Sequence, residues 1–300
     1  MSGATVMRIV CRRFVIAALA VIAPGIAAAA DLPVAPAAPP PTAPVIYTPP
    51  VPDWTVTIGG EFRVIPAWPG APLPPLGYTG VPLFSIRKAG TPPQFFGARD
   101  SFGFSIVDLG MFRIGPAVKL VWERDSTSYA QLNGLPHVNY AIQAGGFVEF
   151  WPVPWLRLRT EVRQGFWGEN GLTGDAFLDA VVPLGQFRWS AGPRVTLQSA
   201  AAINPYFGFT AAEAAAANMT FGQPPLPLTG YSANGGLYSY GAGTKLEYFL
   251  DPQWEVHGLF EYERLTGSAA DSPLVTLRGS PNQYTFGIGA TYSFNMQPLW

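Results

Sequence analysis

The feature that most constrains this chain is a two-residue alternation held over runs of about 10–12 residues. That is the length a strand needs to cross a bilayer, whereas strands of soluble proteins average about 5–6. In Trp54–Val64 the even positions are Trp54, Val56, Ile58, Gly60, Phe62 and Val64, and the odd positions are Thr55, Thr57, Gly59, Glu61 and Arg63. The pattern recurs at Phe112–Trp122, more weakly at Tyr140–Phe150, and again at Leu156–Arg163, Phe187–Leu197, Trp254–Glu263 and Gln283–Phe294. Trp and Tyr fall near the ends of these runs, where an interfacial belt would lie. Short connections (Pro152-Val153-Pro154, Pro183-Leu184-Gly185, Asp251-Pro252-Gln253) alternate with long ones (residues 123–138, 165–173, 199–236, 266–281). Short periplasmic turns and long outer loops produce that rhythm.

Composition supports a membrane setting. Charged residues are 12% of the 300-residue chain, against about 25% in a soluble globular protein. Beyond residue 30 no stretch of 18 apolar residues occurs, so no membrane helix follows the leader. Lipid cannot satisfy open backbone, which leaves a closed barrel as the alternative spanning structure. With 18 Lys+Arg against 19 Asp+Glu, there is no basic field and no case for a nucleic-acid partner.

The leader reads as a secretory signal peptide over residues 1–30. Arg8, Arg12 and Arg13 precede the apolar stretch Phe14–Ala27, and Ala28-Ala29-Ala30 offers a cleavage site. Cys11, the one cysteine, lies before the apolar stretch and so is no acylation site. Residues 31–53 are Pro-rich, favour polyproline II and read as a periplasmic spacer. Residues 54–294 are assigned to the barrel and residues 295–300 to a C-terminal extension.

The expected fold is all-β: a transmembrane antiparallel up-and-down β-barrel of ten strands, with twelve as the alternative and a short helix in the longest extracellular loop. The ten are 54–64, 94–105, 111–122, 139–151, 155–164, 174–182, 186–198, 237–250, 254–265 and 283–294. Leu83–Lys88 also has strand character, giving an odd total that a bacterial barrel does not tolerate. Asp100 is anomalous, since alternation places it among Phe96, Ala98, Phe102 and Phe104 on the lipid face. The helix is expected at 211–218, where Thr210 and Glu213 have capping-box spacing.

Nineteen charged residues fall on the inward face, among them a lumen cluster of Arg157, Arg159, Glu161, Arg163, Glu255, Glu261 and Glu263. A barrel of ten or twelve strands is narrow, so opposite charges are expected to pair across it and fill it. His257 shares its face with carboxylates but lies near a periplasmic turn, so it reads as a hydrogen-bonding lumen residue and not as a general base. His137 has no Ser or Asp constellation around it. No catalytic residue, cofactor-binding motif or metal-ligand set stands out, and the chain reads as a non-enzyme. Gly289, Tyr292 and Phe294 form the C-terminal pattern expected to serve as the assembly signal for the barrel-insertion machinery.

Two segments resemble the MipA/OmpV outer-membrane family. Asn204–Ala215, NPYFGFTAAEAA, is similar to that family's NPYFGVSxEQAA, and residues 266–294, TGSAADSPLVTLRGSPNQYTFGIGATYSF, are similar to its C-terminal GDAADSPIV-x-x-RGS-x-NQ run. The clear resemblance covers roughly residues 200–294. Departures are the appended Asn295–Trp300 and a missing basic residue after the loop helix. The resemblance implies a protein of the Gram-negative outer membrane, in contact with its lipid. It also implies a scaffold for peptidoglycan synthesis, with a lytic transglycosylase and a penicillin-binding protein as partners. A narrow channel for small solutes is the alternative.

Overall fold

The computed structural model describes residues 54–90 and 95–297. The signal peptide, the Pro-rich segment and residues 298–300 lie outside the described residues. The strands are β1 (Trp54–Pro66), β2 (Leu76–Lys88), β3 (Phe102–Gly103), β4 (Val107–Asp108), β5 (Phe112–Val121), β6 (Ala141–Val153), β7 (Leu156–Trp167), β8 (Leu172–Leu184), β9 (Phe187–Gln198), β10 (Gly236–Phe249), β11 (Trp254–Leu265) and β12 (Asn282–Met296). They form one antiparallel sheet in the order β2-β1-β12-β11-β10-β9-β8-β7-β6-β5-β3, with β4 also on β5.

The sheet is inside-out relative to a soluble protein. On β7, Arg157, Arg159, Glu161 and Arg163 are buried while Leu158 and Val162 are exposed, and on β12 Phe286 and Ile288 face outward. Apolar side chains around the outside with charges packed within suit a hydrocarbon solvent. No helix among the described residues is long and apolar enough to cross a membrane; the strands are the crossing elements.

The strands seen fall between the two expected counts. β3 and β4 are pieces of one pass against β5, so the described residues make eleven passes. Alternating directions over an odd number of passes leave β2 and β3 running the same way. The chain leaving β2 must therefore travel back before β3 can begin, and the described part of that return lies inside the barrel. Residues 95–101, expected as part of a wall strand, lie in the lumen: Phe95, Ala98 and Ser101 are buried, and Arg99 and Asp100 reach the inner faces of β11 and β7. The parity that a barrel requires is kept by one lumenal crossing. Asp100 is thus not at the lipid face, and its apparent anomaly disappears.

β2 spans Leu76–Lys88, much longer than the six residues with strand character. Pro82 and two glycines mask its alternation. It pairs with β1 alone, Gly60 facing Pro82, so it is an edge, where a proline costs least. β2 and β3 share no ladder among the described residues; the rings of Phe84 and Phe102 meet across the seam, 6.0 Å apart. At the other closure β1 pairs with β12 from Val64↔Phe286 to Trp54↔Met296. β12 therefore runs two residues past the boundary expected at 294, held there by Trp54 and Thr55.

The long loops form a cap over one end. It contains α1 (Ala200–Phe207), α2 (Ala211–Ala217), α3 (Gly267–Ala270) and α4 (Pro273–Arg278). α2 begins at a capping box: Glu213 N donates to Thr210 Oγ1 (3.3 Å), and Thr210 N donates to Glu213 Oε2 (2.7 Å). Trp68, Leu132, Leu135, Phe209, Ala217, Leu226 and Leu274 make one apolar core of the cap. Ile203, Tyr206, Phe207, Leu265, Ala269 and Val275 belong to a second. Gly134, at φ 84°, passes so close to α2 that a Cβ there would lie 2.4 Å from the Ala217 nitrogen.

Candidate functional site: the charged lumen

The two-residue period of β7 puts four charges on one line down the lumen. Arg157 donates to Glu149 Oε2 (2.8 Å), to Asp179 Oδ2 (3.1 Å) and, through both terminal nitrogens, to Asp100 (3.1 and 2.6 Å). Arg159 donates to Glu161 Oε1 (2.7 Å) and Glu149 Oε2 (3.3 Å) and lies over the Phe147 ring, 3.8 Å from its centroid. Arg163 bonds Glu161 and Asp175 and donates to Gln143 Oε1 (3.0 Å). Arg194 crosses from Asp179 (2.9 Å) to Glu261 (3.0 Å), joining β8 to β11. A belt of charge-assisted bonds thus spans the interior.

Residues 95–101 are tied into this belt. Arg99 bonds Glu263 and lies 3.4 Å from Glu261. Ser101 donates through its amide (3.2 Å) and its hydroxyl (2.5 Å) to Glu161. Lys245 Nζ donates to the Phe96 carbonyl (3.2 Å) and pairs with Glu247 (3.3 Å). Phe95 offers its ring to Arg157 and Arg188 at 5.1 and 5.4 Å, a cation–π contact that suits desolvated guanidinium groups. Unpaired burial of any one of these charges would cost several kcal/mol, on the order of 3–5 for a broken pair, so the segment and the wall hold each other.

Of the residues singled out by sequence, Arg157, Arg159, Glu161 and Arg163 sit together at the belt. Glu261 and Glu263 join it through Arg194 and Arg99. Glu255 stands apart, beside His257: His257 Nδ1 lies 2.9 Å from Glu255 Oε1, and Nε2 lies 3.0 Å from Glu61 Oε2. The imidazole is fully enclosed, with no open side for a substrate. It lies over Gly289, where a Cβ would come 2.5 Å from Nε2, so lumen packing requires that glycine. Tyr292 and Phe294 stack on each other at the turn end, and Tyr292 also meets Trp254 (4.9 Å). Asp100 is the belt residue that alternation misplaced. The signal for it was the charge itself, which the lipid face would not bear. His137 is half-exposed in the β5–β6 loop, 3.4 Å from Glu123 and 3.8 Å from Asp125, which accepts from Ser128, so it does have acidic and hydroxyl neighbours that the sequence did not suggest.

The belt divides the interior. Toward the cap lies a cavity of about 720 Å³, and toward the short turns a vestibule of about 500 Å³. The cap above the larger cavity is pinned by two arginines that bond backbone carbonyls. Arg278 reaches Pro224 O (2.8 Å), Gln131 O (3.1 Å) and Ala217 O (3.4 Å). Arg124 reaches Tyr206 O and, at 3.0 Å, Pro136 O. Burial pushes Arg124 down to about 10, and burial raises Glu169 in the β7–β8 turn, against the opposing effect of the Gln143 amide that donates to it (2.5 Å).

An antiparallel barrel with a lipid-facing apolar exterior and a charged interior defines an outer-membrane β-barrel protein. The family model of MltA-interacting protein MipA matches residues 58–294. The chain belongs to this family. A comparison with curated proteins finds no match. Among solved structures, the chain is similar to the COG4313 outer membrane channel from Pseudomonas putida F1 at 10% identity, covering 84% of this chain and 99% of that one with a TM-score of 0.42. It is also similar to the NanC porin at 9% identity (80% and 98% covered, TM-score 0.36). OmpT of Vibrio cholerae is similar at 9% identity (81% and 97% covered, TM-score 0.31).

Proposed function

We propose that this protein is an occluded barrel of the Gram-negative outer membrane that scaffolds the enzymes of peptidoglycan synthesis and remodelling. The observation that carries the reading is the belt: a lumen crossed by paired charges and by residues 95–101 is built to hold a shape more than to pass solute. Membership of the family described as MltA-interacting supports the choice of partner class, a lytic transglycosylase together with a penicillin-binding protein. The chain supplies no catalytic step in this reading and binds no cofactor. Its short-turn end, where β1 begins at Trp54, is the face offered to periplasmic partners.

Affinity capture of the full chain from solubilised outer membranes tests the reading. Enrichment of a lytic transglycosylase and a penicillin-binding protein, reduced when residues 31–53 are deleted, is the expected result. Capture of neither by the intact chain would overturn the scaffold and return the narrow channel as the better reading.

A further inference from the structure

The larger cavity is not confined to the lumen. Its lining includes Gln143, Arg163 and Asp175 from inside the barrel together with Phe84, Leu120 and Trp122, which face outward. A space bounded by both faces of a wall passes through the wall. The passage is the seam: among the described residues β3 pairs with β5 only at Ala117 and Val118, so Lys119–Val121 have no described partner strand on that side. Backbone left unladdered at membrane depth is tolerated where it lines a cavity.

The polar end of the cavity has hydrogen-bond donors left over. Arg63, Arg99, Arg113, Arg157, Arg159, Arg163, Arg188, Arg194 and Lys245 each have a carboxylate within 4.0 Å. Lys119 makes no ion pair or hydrogen bond among the described residues, although it lines the cavity. Tyr206, 6% exposed, lines it too, and its buried hydroxyl has no partner among the described residues. An ammonium and a phenol with no acceptor in hydrogen-bond range leave donors for an acceptor-rich, negatively charged group, with Asp175 as the carboxylate that faces Lys119 across the same cavity. The other end, between Phe84, Phe102, Leu120 and Trp122, is apolar and opens to the hydrocarbon.

We infer that this cavity is a binding site for an anionic amphiphile that enters from the bilayer through the β2–β5 seam, its head at Lys119 and Tyr206 and its chain between Phe84 and Leu120. A volume of about 720 Å³ falls within the range of about 300–1,000 Å³ usual for small-molecule sites. The belt lies between this cavity and the vestibule, so binding here is compatible with a scaffold.

The test uses the full chain in phosphatidylcholine nanodiscs supplied with oleate or with oleyl alcohol, and native mass spectrometry to count retained molecules. One oleate per chain is expected, with oleyl alcohol held roughly tenfold more weakly, the loss of one charge-assisted contact. Lys119→Ala should weaken oleate by about the same factor and leave oleyl alcohol unchanged, and Lys119→Met should repeat the result. Heat-modifiable migration of both variants confirms a folded barrel. Joining Phe84→Cys to Phe102→Cys with a bismaleimide should abolish uptake of both probes. Absence of oleate retention, or equal retention of both probes by wild type and Lys119→Ala, would overturn the proposal. Retention seen only after residues 31–53 are deleted would also overturn it, because that segment would then be the occupant.

Discussion

Arg157 on β7 grips Asp100 with both terminal guanidinium nitrogens, at 3.1 and 2.6 Å, and this pair fastens the lumenal crossing to the barrel wall. Both side chains are out of solvent. The same guanidinium serves Glu149 and Asp179, so one residue compensates three carboxylates. Arg157→Leu is expected to destabilise the barrel by roughly 3–5 kcal/mol, because three buried carboxylates lose their shared partner. Urea unfolding in micelles measures this. Adding Asp100→Asn to Arg157→Leu should recover part of the loss, since the doubly changed barrel buries one uncompensated charge fewer.

Glu169 predicts a pH dependence. Burial raises its folded pKa above the ordinary 4.5, so the folded state binds the proton more tightly than the unfolded chain. The stabilisation is present in full below the unfolded pKa and is lost as pH rises through the folded one. Glu169→Gln keeps an acceptor for the Gln143 amide and removes the titration. Its stability between pH 4 and pH 8 should be flatter than that of wild type, as read by thermal unfolding at several pH values.

The cap depends on Arg278, which joins the loop carrying Gln131, the end of α2 and the segment at Pro224. Arg278→Met leaves those carbonyls without their donor. Surface-exposed protease on intact cells should then cut within residues 123–138 or 218–235 of the variant and spare wild type. Outer-membrane levels should stay nearly the same, because the barrel ladders do not involve Arg278.

Assembly should follow the last aromatics of β12. Tyr292→Ser with Phe294→Ser is expected to cause periplasmic accumulation and degradation. Deleting Gln297–Trp300 should leave outer-membrane levels nearly unchanged, since the ladder to β1 ends at Met296. Fractionation and immunoblotting distinguish the two. Gly289 is a poor probe of the signal alone, because any Cβ there collides with His257.

The wall from β5 to β12 was legible because a lipid-facing strand must alternate, and the lumenal charges on β7 were legible for the same reason. Residues 95–101 were not. An inward segment whose Phe95 ring lies against guanidinium groups has the same alternation of aromatic and polar residues as a strand between lipid and lumen. Asp100 alone signalled the difference. β2 was obscured by Gly77, Gly80 and Pro82, which an edge strand accepts and a central one does not. The partition of the lumen charges also escaped the sequence: alternation places Glu255 on the same face as Glu261, but only the three-dimensional register shows that His257 and Thr291 claim it.

A lumen closed by paired charges and residues 95–101 should pass little current, and recordings of the protein in planar bilayers measure it. Wild type should show small or no conductance steps. Replacing Arg157, Arg159 and Arg163 together by Ala should produce steps where that variant still inserts. Large, stable, water-filled steps from the wild-type protein would contradict closure of the lumen.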